Sequence, residues 1–219
     1  MAFELLDEHE QGEVVRKWLR QNTMSIATGI ALALLLIFGW QQWKHRQDGK
    51  AVEAALQYQA LGVAVEGKRT EDADAIAAAL RKDYPGTVYA VLAALGQAER
   101  AVVKGDLKAA APDLDWARSN VKLPALKHLV NLRLAQVRLA EGDAAAALGL
   151  LESIDKAEYV GQAAELRGDA LVKLDRDEEA RAAYRDALAK LDPQAPNRSF
   201  VQMKLDDLGA APAAAQQGS

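Results

Sequence analysis

Several residue types are absent or scarce in this sequence of 219 residues. It contains no cysteine, which excludes disulfide bonds and thiolate metal sites. Only 5% of the residues are aromatic whereas alanine is abundant. This composition suits packed helices better than sheets, because alanine has the highest helix propensity and strands favour aromatic and β-branched residues. Basic residues are not in excess either: the net charge is −4, so we expect no nucleic-acid partner.

One long stretch lacks charge altogether. No charged residue occurs over 21–43. At a rise of ~1.5 Å per residue, a helix over 24–43 is long enough to cross a hydrocarbon layer ~30 Å thick. Trp40 and Trp43 lie at its end, and tryptophan is typical of the interface between membrane and water. The sequence therefore predicts a transmembrane helix over 24–43, in contact with lipid, after a short segment over 1–23.

The apolar stretch is predicted to be retained as an anchor. A cleaved signal peptide would begin with a short basic segment and end in a small-x-small cleavage site. Here the preceding segment is rich in acidic residues, and the stretch ends in Trp-Gln-Gln-Trp. Three lysine or arginine residues flank it on each side, so the positive-inside rule leaves the direction of crossing open.

The rest of the chain, 44–208, has the pattern of helices separated by short turns. Its clearest unit begins at Ala163. In this unit Gly168 is a small residue that lets two helices approach closely, Tyr184 belongs to the buried stripe of the second helix, and Pro193 ends that helix. This is the tetratricopeptide pattern, whose period is about 34 residues.

The same pattern of small and large residues recurs in earlier repeats. One repeat earlier the equivalent residues are Ala135, Gly142, Ala147, Leu151 and Ile154, and two repeats earlier they are Ala98, Gly105, Ala110, Leu114 and Ala117. Gly105 and Gly142 are predicted to end one helix in a left-handed turn, and the aspartate after each is predicted to start the next. A weaker hairpin is predicted over 52–83, with Gly67 in its turn.

The predicted fold is therefore all-α: an N-terminal transmembrane helix, then an α-solenoid of about four tetratricopeptide-like hairpins and a short capping helix over 200–208. Residues 209–219 contain no large apolar side chain and are predicted to form a disordered tail. The alternative is an unrelated alanine-rich helical bundle, which would not explain the recurring pattern.

No motif indicates catalysis, a cofactor or a metal. The stretch from Gly62 to Lys68 is close to a phosphate-binding loop, but Arg69 stands where a hydroxyl should hold magnesium. The three histidines lie in different segments, so a histidine metal cluster is not expected. We therefore expect a non-enzymatic protein without a cofactor or a small-molecule substrate.

Repeats of this class often bind peptides in a groove lined by the first helix of each hairpin. The residues expected to face this groove are mostly apolar or acidic: Leu92, Leu95, Glu99, Leu132, Gln136, Glu165 and Asp169. They do not form the clamp of lysines and asparagines that binds a terminal carboxylate. An extended apolar segment or a partner domain fits better, although the same leucines could instead pack in the core.

Five stretches resemble a known bacterial inner-membrane family. They are 10–18 before the apolar helix, 39–43 at its end, 130–135 and 166–171 in the repeats, and 203–208 in the final helix. They resemble YfgM, the ancillary subunit of the SecYEG protein translocon, over nearly the whole chain. Thr23, where we would expect glycine, and the residues after Leu208 depart from the family pattern.

The resemblance implies a location and a set of partners. It implies a cytoplasmic N-terminus, one crossing of the bacterial inner membrane and a periplasmic repeat domain. It also implies association with SecYEG and with the periplasmic chaperone PpiD, in the handling of newly exported proteins. The alternative is an adaptor for cell-envelope assembly, such as division or pilus machinery, that uses the same fold.

Overall fold

The computed structural model describes residues 8–154 and 159–210. Within these ranges the chain forms nine α-helices. They are α1 (Glu8–Glu66), α2 (Thr70–Asp83), α3 (Val88–Val103), α4 (Leu107–Asn120), α5 (Pro124–Glu141), α6 (Ala144–Leu151), α7 (Val160–Lys173), α8 (Asp177–Lys190) and α9 (Arg198–Ala210). The chain divides into two compact units, Met1–Lys50 and Ala51–Ser219, which we describe separately.

The first unit is formed by the N-terminal part of α1. Its apolar side chains are exposed, among them Leu35, Leu36 and Phe38. The hydroxyl of Thr28 donates a hydrogen bond of 2.8 Å to the carbonyl of Met24, so this polar group is satisfied within the helix. In the described part of the chain, α1 is the one helix long and apolar enough to cross a membrane, as judged by length and composition.

The second unit is a row of helical hairpins. The part of α1 after Ala51 packs against α2 around the buried residues Leu61 and Leu80. Three further hairpins follow, α3 with α4, α5 with α6 and α7 with α8, and α9 packs against α8. Each hairpin contacts its neighbours in the row, which is how a solenoid buries its apolar faces. The predicted all-α solenoid of about four hairpins with a final helix is confirmed.

The turns inside the hairpins follow the predicted chemistry. Gly142 has a φ of 91° and Gly105 a φ of 78°, a left-handed conformation that glycine adopts without strain. The Asp143 carboxylate then accepts a hydrogen bond of 3.0 Å from the backbone N–H three residues later, and so caps α6. In the first and last hairpins the left-handed residues are Lys68 and Asp175.

The closest approach of two helices occurs where α7 crosses α8. A Cβ atom added to Gly168 would lie 2.3 Å from Cε1 of Tyr184, a distance that no carbon pair tolerates. Tyr184 is 2% exposed, and its hydroxyl donates a hydrogen bond of 2.7 Å to Asp169. The predicted role of Gly168 is confirmed, since only a hydrogen atom fits between this helix and the tyrosine ring.

Small residues also fill the equivalent positions of the other repeats. The predicted alanines are buried at these positions: Ala98, Ala110, Ala117, Ala135 and Ala147. Leu114 and Leu151 take the place of Tyr184 and are buried as well. Ile154 lies beyond the end of α6, yet it is only 2% exposed and packs in the same core.

The final helix is longer at both ends than predicted. It spans Arg198–Ala210 and buries Val201 completely against α7 and α8. Gly209 and Ala210, which the sequence assigned to the tail, are therefore helical, since no proline separates them from the preceding turn. The rest of the predicted tail, 211–219, lies outside the described residues.

Candidate partner-binding groove

A cleft of about 520 Å³ opens between α3 and α5. Its lining is mostly apolar and includes Tyr58, Leu92, Leu95, Val102, Val103, Leu107, Leu129 and Val137. Val102 is 42% exposed and Val103 is 82% exposed, so apolar surface is accessible at the edge of the cleft. This is the kind of concave, mainly apolar surface at which proteins bind ligands.

Helix periodicity brings the α3 side of the cleft together. Leu92, Leu95, Glu99 and Val102 are three or four residues apart, so they share one face of the helix. The helix begins after Thr87, whose hydroxyl accepts a hydrogen bond of 3.3 Å from a backbone N–H in the first turn. The cap fixes the start of the helix, and the spacing places these four side chains together on the face that lines the cleft.

The α5 side is built in the same way. Leu129, Arg133, Gln136 and Ala140 follow one another at intervals of three or four residues and line the cleft. The sequence prediction included only Gln136 of these four. The periodicity of α5 contained the signal for the other three.

Four of the seven predicted groove residues line this cleft: Leu92, Leu95, Glu99 and Gln136. Leu132 does not, because it is 2% exposed and packs in the core with Ala135 and Leu151. The structure therefore corrects the prediction for this residue. Leu132 belongs to the core, as the alternative interpretation of the leucines allowed.

A second cleft, of about 530 Å³, lies between α5, α7 and the loop that precedes α9. Glu165 lines it, together with polar residues such as Gln162 and Asn197. Arg133 and Gln136 line both clefts, so the two adjoin along α5. The groove thus has an apolar part beside α3 and a more polar part beside α7.

Glu165 and Asp169 are held by the final helix. The ammonium group of Lys204 lies 3.0 Å from Oε1 of Glu165 and 2.8 Å from Oδ1 of Asp169. The amide of Asn197 donates a hydrogen bond of 2.6 Å to Glu165. Asp169 lines neither cleft, since its partners are Lys204 and Tyr184. These two acids were predicted to face a partner, and the structure places them in contacts that fix α9.

This network changes the acid–base properties of two of its members. Burial disfavours the charged form of Lys204, but the hydrogen bonds to Asp169 and Glu165 outweigh it and raise the pKa of the ammonium group. Burial, aided by the hydrogen bond to Asp169, raises the pKa of the Tyr184 phenol. Both groups therefore stay protonated in the folded protein well into the alkaline range.

Two charged residues of the apolar cleft have no ionic partner among the described residues. Arg133 donates a hydrogen bond of 3.2 Å to the neutral side chain of Gln136, and no carboxylate of the described chain lies within 4.0 Å of it. Glu99 is exposed and forms no ion pair with any described lysine or arginine. The cleft therefore presents one positive and one negative group beside an apolar surface.

The first unit carries the predicted membrane-interface pair. The ring centroids of Trp40 and Trp43 are 5.3 Å apart, with the planes inclined by 38°. The two side chains are 65% and 55% exposed, so both indoles are accessible at the end of the apolar segment.

Comparison with known proteins identifies the family. A model for the tetratricopeptide repeat-like domain matches residues 16–210. A relative from Escherichia coli (strain K12), named ancillary SecYEG translocon subunit, is 33% identical over 204 residues, which cover 92% of this chain and 97% of the relative. The chain belongs to the family of ancillary SecYEG translocon subunits. The predicted resemblance to this family is confirmed.

Other ancillary SecYEG translocon subunits are similar over their full length. The protein of that name from Haemophilus influenzae is 26% identical over 211 residues, which cover 95% of this chain and 100% of the relative. The one from Neisseria gonorrhoeae is 27% identical over 209 residues, with the same two coverages. No solved structure matches the chain. Membership of the family, the repeat fold and the apolar helix together fit a non-enzymatic scaffold of the inner membrane.

Proposed function

We propose that this protein is a non-enzymatic ancillary subunit of the SecYEG translocon. The main support is its similarity to the Escherichia coli subunit of that name over 92% of this chain and 97% of the relative. The apolar helix and the repeat domain, found in one chain, give this role a physical basis: one part can anchor the protein and the other can hold partners.

We further propose a topology. The N-terminus is cytoplasmic, 24–43 crosses the inner membrane in contact with lipid, and the repeat domain is periplasmic. Trp40 and Trp43 then lie at the periplasmic interface, where the amphipathic indole ring is favoured. Exposure of the apolar side chains of this segment supports an environment other than water.

The groove gives the proposal its partner-binding surface. Leu92, Leu95, Glu99 and Gln136 line the cleft between α3 and α5, and we assign to them the contact with a partner. We propose the periplasmic chaperone PpiD as a partner with which the subunit handles newly exported proteins. Glu165 and Asp169 are not assigned this contact, because they hold α9 at the end of the row.

Purification of the tagged, full-length chain in mild detergent, followed by mass spectrometry, tests the proposed function. We expect SecYEG subunits and PpiD to be enriched over a control purification of an unrelated single-pass protein that carries the same tag. Recovery of division or pilus proteins without SecYEG subunits would contradict the proposal.

Protease treatment of spheroplasts tests the topology. We expect the repeat domain to be digested from outside, while a cytoplasmic marker protein survives until the membrane is lysed. Survival of the repeat domain in intact spheroplasts would show that the direction of crossing is the opposite one.

A further inference from the structure

The two charged residues of the α3–α5 cleft, Arg133 and Glu99, indicate what kind of ligand the cleft binds. Arg133 lies where the apolar cleft adjoins the polar one, and Glu99 lies on the opposite wall, on α3. Neither has an ionic partner among the described residues. In contrast, Glu165, which lines the second cleft, is paired with Lys204 within the chain. Arg133 and Glu99 therefore give the cleft between α3 and α5 one positive and one negative group that a partner can pair with.

The chemistry of Arg133 favours a carboxylate. Guanidinium has five N–H donors in a planar fork, and among the described residues only one hydrogen bond, to the neutral amide of Gln136, involves them. A carboxylate can accept two of the remaining donors side by side, a strong and directional contact. Glu99, as an exposed acid, favours a cation in the same way.

The shape of the groove favours an internal segment of a polypeptide over a chain end. The lining of the first cleft is apolar, with accessible surface at Val102 and Val103. Beyond Arg133 the groove continues into the second cleft, which has space for the next part of a chain. A carboxylate that meets Arg133 can therefore belong to a side chain, with the backbone continuing past it.

We propose that the cleft between α3 and α5 binds a polypeptide segment of a partner protein that contains apolar side chains, one acidic residue and one basic residue. The apolar side chains pack on Leu92, Leu95 and Val103, the acidic residue pairs with Arg133, and the basic residue pairs with Glu99. This inference rests on the proposed function only in that the repeat domain holds a partner.

Synthetic peptides of about ten residues, acetylated and amidated at their ends, test the inference. Each peptide contains leucine and valine at the centre, glutamate at one end and lysine at the other. Peptides with glutamate first and peptides with lysine first are both tested. Binding to the full-length protein in lipid nanodiscs is measured by calorimetry, with empty nanodiscs as the blank. Replacement of glutamate by glutamine in the better-binding peptide is expected to raise Kd about tenfold, since a charge-assisted hydrogen bond is lost.

Variants of the protein assign the effect to the cleft. In Arg133→Gln the glutamate and glutamine peptides should bind with equal Kd, and Arg133→Glu should prefer a peptide with lysine in place of the glutamate. Glu99→Gln should remove the preference for lysine at the other end. Val103→Asp should weaken every peptide at least tenfold, whereas Val172→Asp, at a partly exposed valine near the end of α7 and outside both clefts, should not.

Several results would overturn the inference. They are equal Kd values for glutamate and glutamine peptides, an unchanged preference in Arg133→Gln, or the absence of binding below about 1 mM for all peptides in both orders. Self-association in sedimentation that Arg133→Gln abolishes would show that a second copy occupies the cleft. A free C-terminal carboxylate that replaces the glutamate without loss would show recognition of a chain end. Thermal unfolding of each variant verifies that it is folded.

The two proposals fail separately. If SecYEG subunits co-purify with the chain but the peptides show no charge preference, the proposed function stands and this inference is wrong. If the peptides bind as expected but SecYEG subunits are not recovered, the cleft has the stated chemistry and the proposed function is wrong.

Discussion

At the scale of single residues, the contact between Gly168 and Tyr184 is the tightest constraint in the repeat domain. The ring lies where a Cβ atom of residue 168 would be, so the two positions cannot both be large. The phenol hydroxyl is then within hydrogen-bonding distance of Asp169, which also accepts from Lys204. A steric requirement and a polar network therefore meet on one turn of α7.

Replacement of Gly168 by alanine should destabilise the protein. The extra carbon would clash with the Tyr184 ring at 2.3 Å, and overpacking of this kind costs about 1–3 kcal/mol, which alanine's gain of ~1 kcal/mol in helix propensity offsets only in part. We expect Tm, followed by circular dichroism of the full-length chain in detergent, to fall by several degrees, on the order of 2–4 °C per kcal/mol. Gly149→Ala is the control, because nothing lies within 4 Å of its Cβ position, and it should not lower Tm.

The Lys204 network should make stability depend on alkaline pH. The folded state raises the pKa of Lys204 above its ordinary value of 10.5, so its stabilising effect is complete below that value and is lost as pH rises through the folded pKa. Tyr184 acts in the same direction, starting from an ordinary value of 10.0. The Tm difference between the native protein and Lys204→Met should therefore be constant from pH 7 to about 9 and shrink above about 11. A constant difference up to pH 12 would contradict this explanation.

At the scale of secondary-structure elements, short helices depend on their caps. α6 has only eight residues, and its first turn is fixed by the Asp143 carboxylate. Asp143→Ala should cost about 1 kcal/mol, because a backbone N–H loses its partner at the helix start. Asp143→Asn, which keeps an acceptor oxygen, should restore most of the loss when both variants are compared by thermal unfolding. Equal Tm values for Asp143→Ala and the native protein would show that the cap contributes nothing.

The hairpins could be predicted from the sequence, but the contacts of their charged residues could not. Glycine followed by aspartate specifies a turn and a cap locally, so Gly142 and Asp143 were recognisable in isolation. Lys204 lies far along the chain from Glu165 and Asp169, and helix periodicity says nothing about which elements will meet. Leu132 was misplaced because a groove and a core both favour leucine, and only the packing of α6 and α7 on α5 distinguishes them.

At the scale of the whole molecule, the two units face different requirements. The apolar side chains of the first unit, such as Leu35, are exposed along one helix, whereas the second unit has an apolar core buried between hairpins. The family to which the chain belongs gives a reason for both in one protein, since a translocon subunit works at a membrane. The transmembrane helix and the repeats were predicted as separate parts because an uncharged stretch of about 20 residues differs sharply from amphipathic repeats.

Leu35→Arg should impair anchoring, while Leu56→Arg should not. Leu35 lies in the apolar stretch, where a central arginine costs about 2.5–3.5 kcal/mol of membrane insertion. Leu56 is 61% exposed and belongs to the second unit, so arginine at this position should be tolerated. Extraction of membranes with alkaline carbonate measures the difference: more Leu35→Arg protein should appear in the soluble fraction. Equal extraction of the two variants would argue against the anchor.

The arrangement of the hairpins has a mechanical consequence. Each hairpin contacts its neighbours in the row, so several similar interfaces resist a force applied to the ends of the second unit. Each interface can separate without the others. Stretched from its ends in optical tweezers, the repeat domain should lengthen in successive steps, each close to the extension of one hairpin, and not in a single rupture. We therefore expect the repeat domain to unfold gradually when a bound polypeptide pulls on it, and to refold one hairpin at a time when the force is removed.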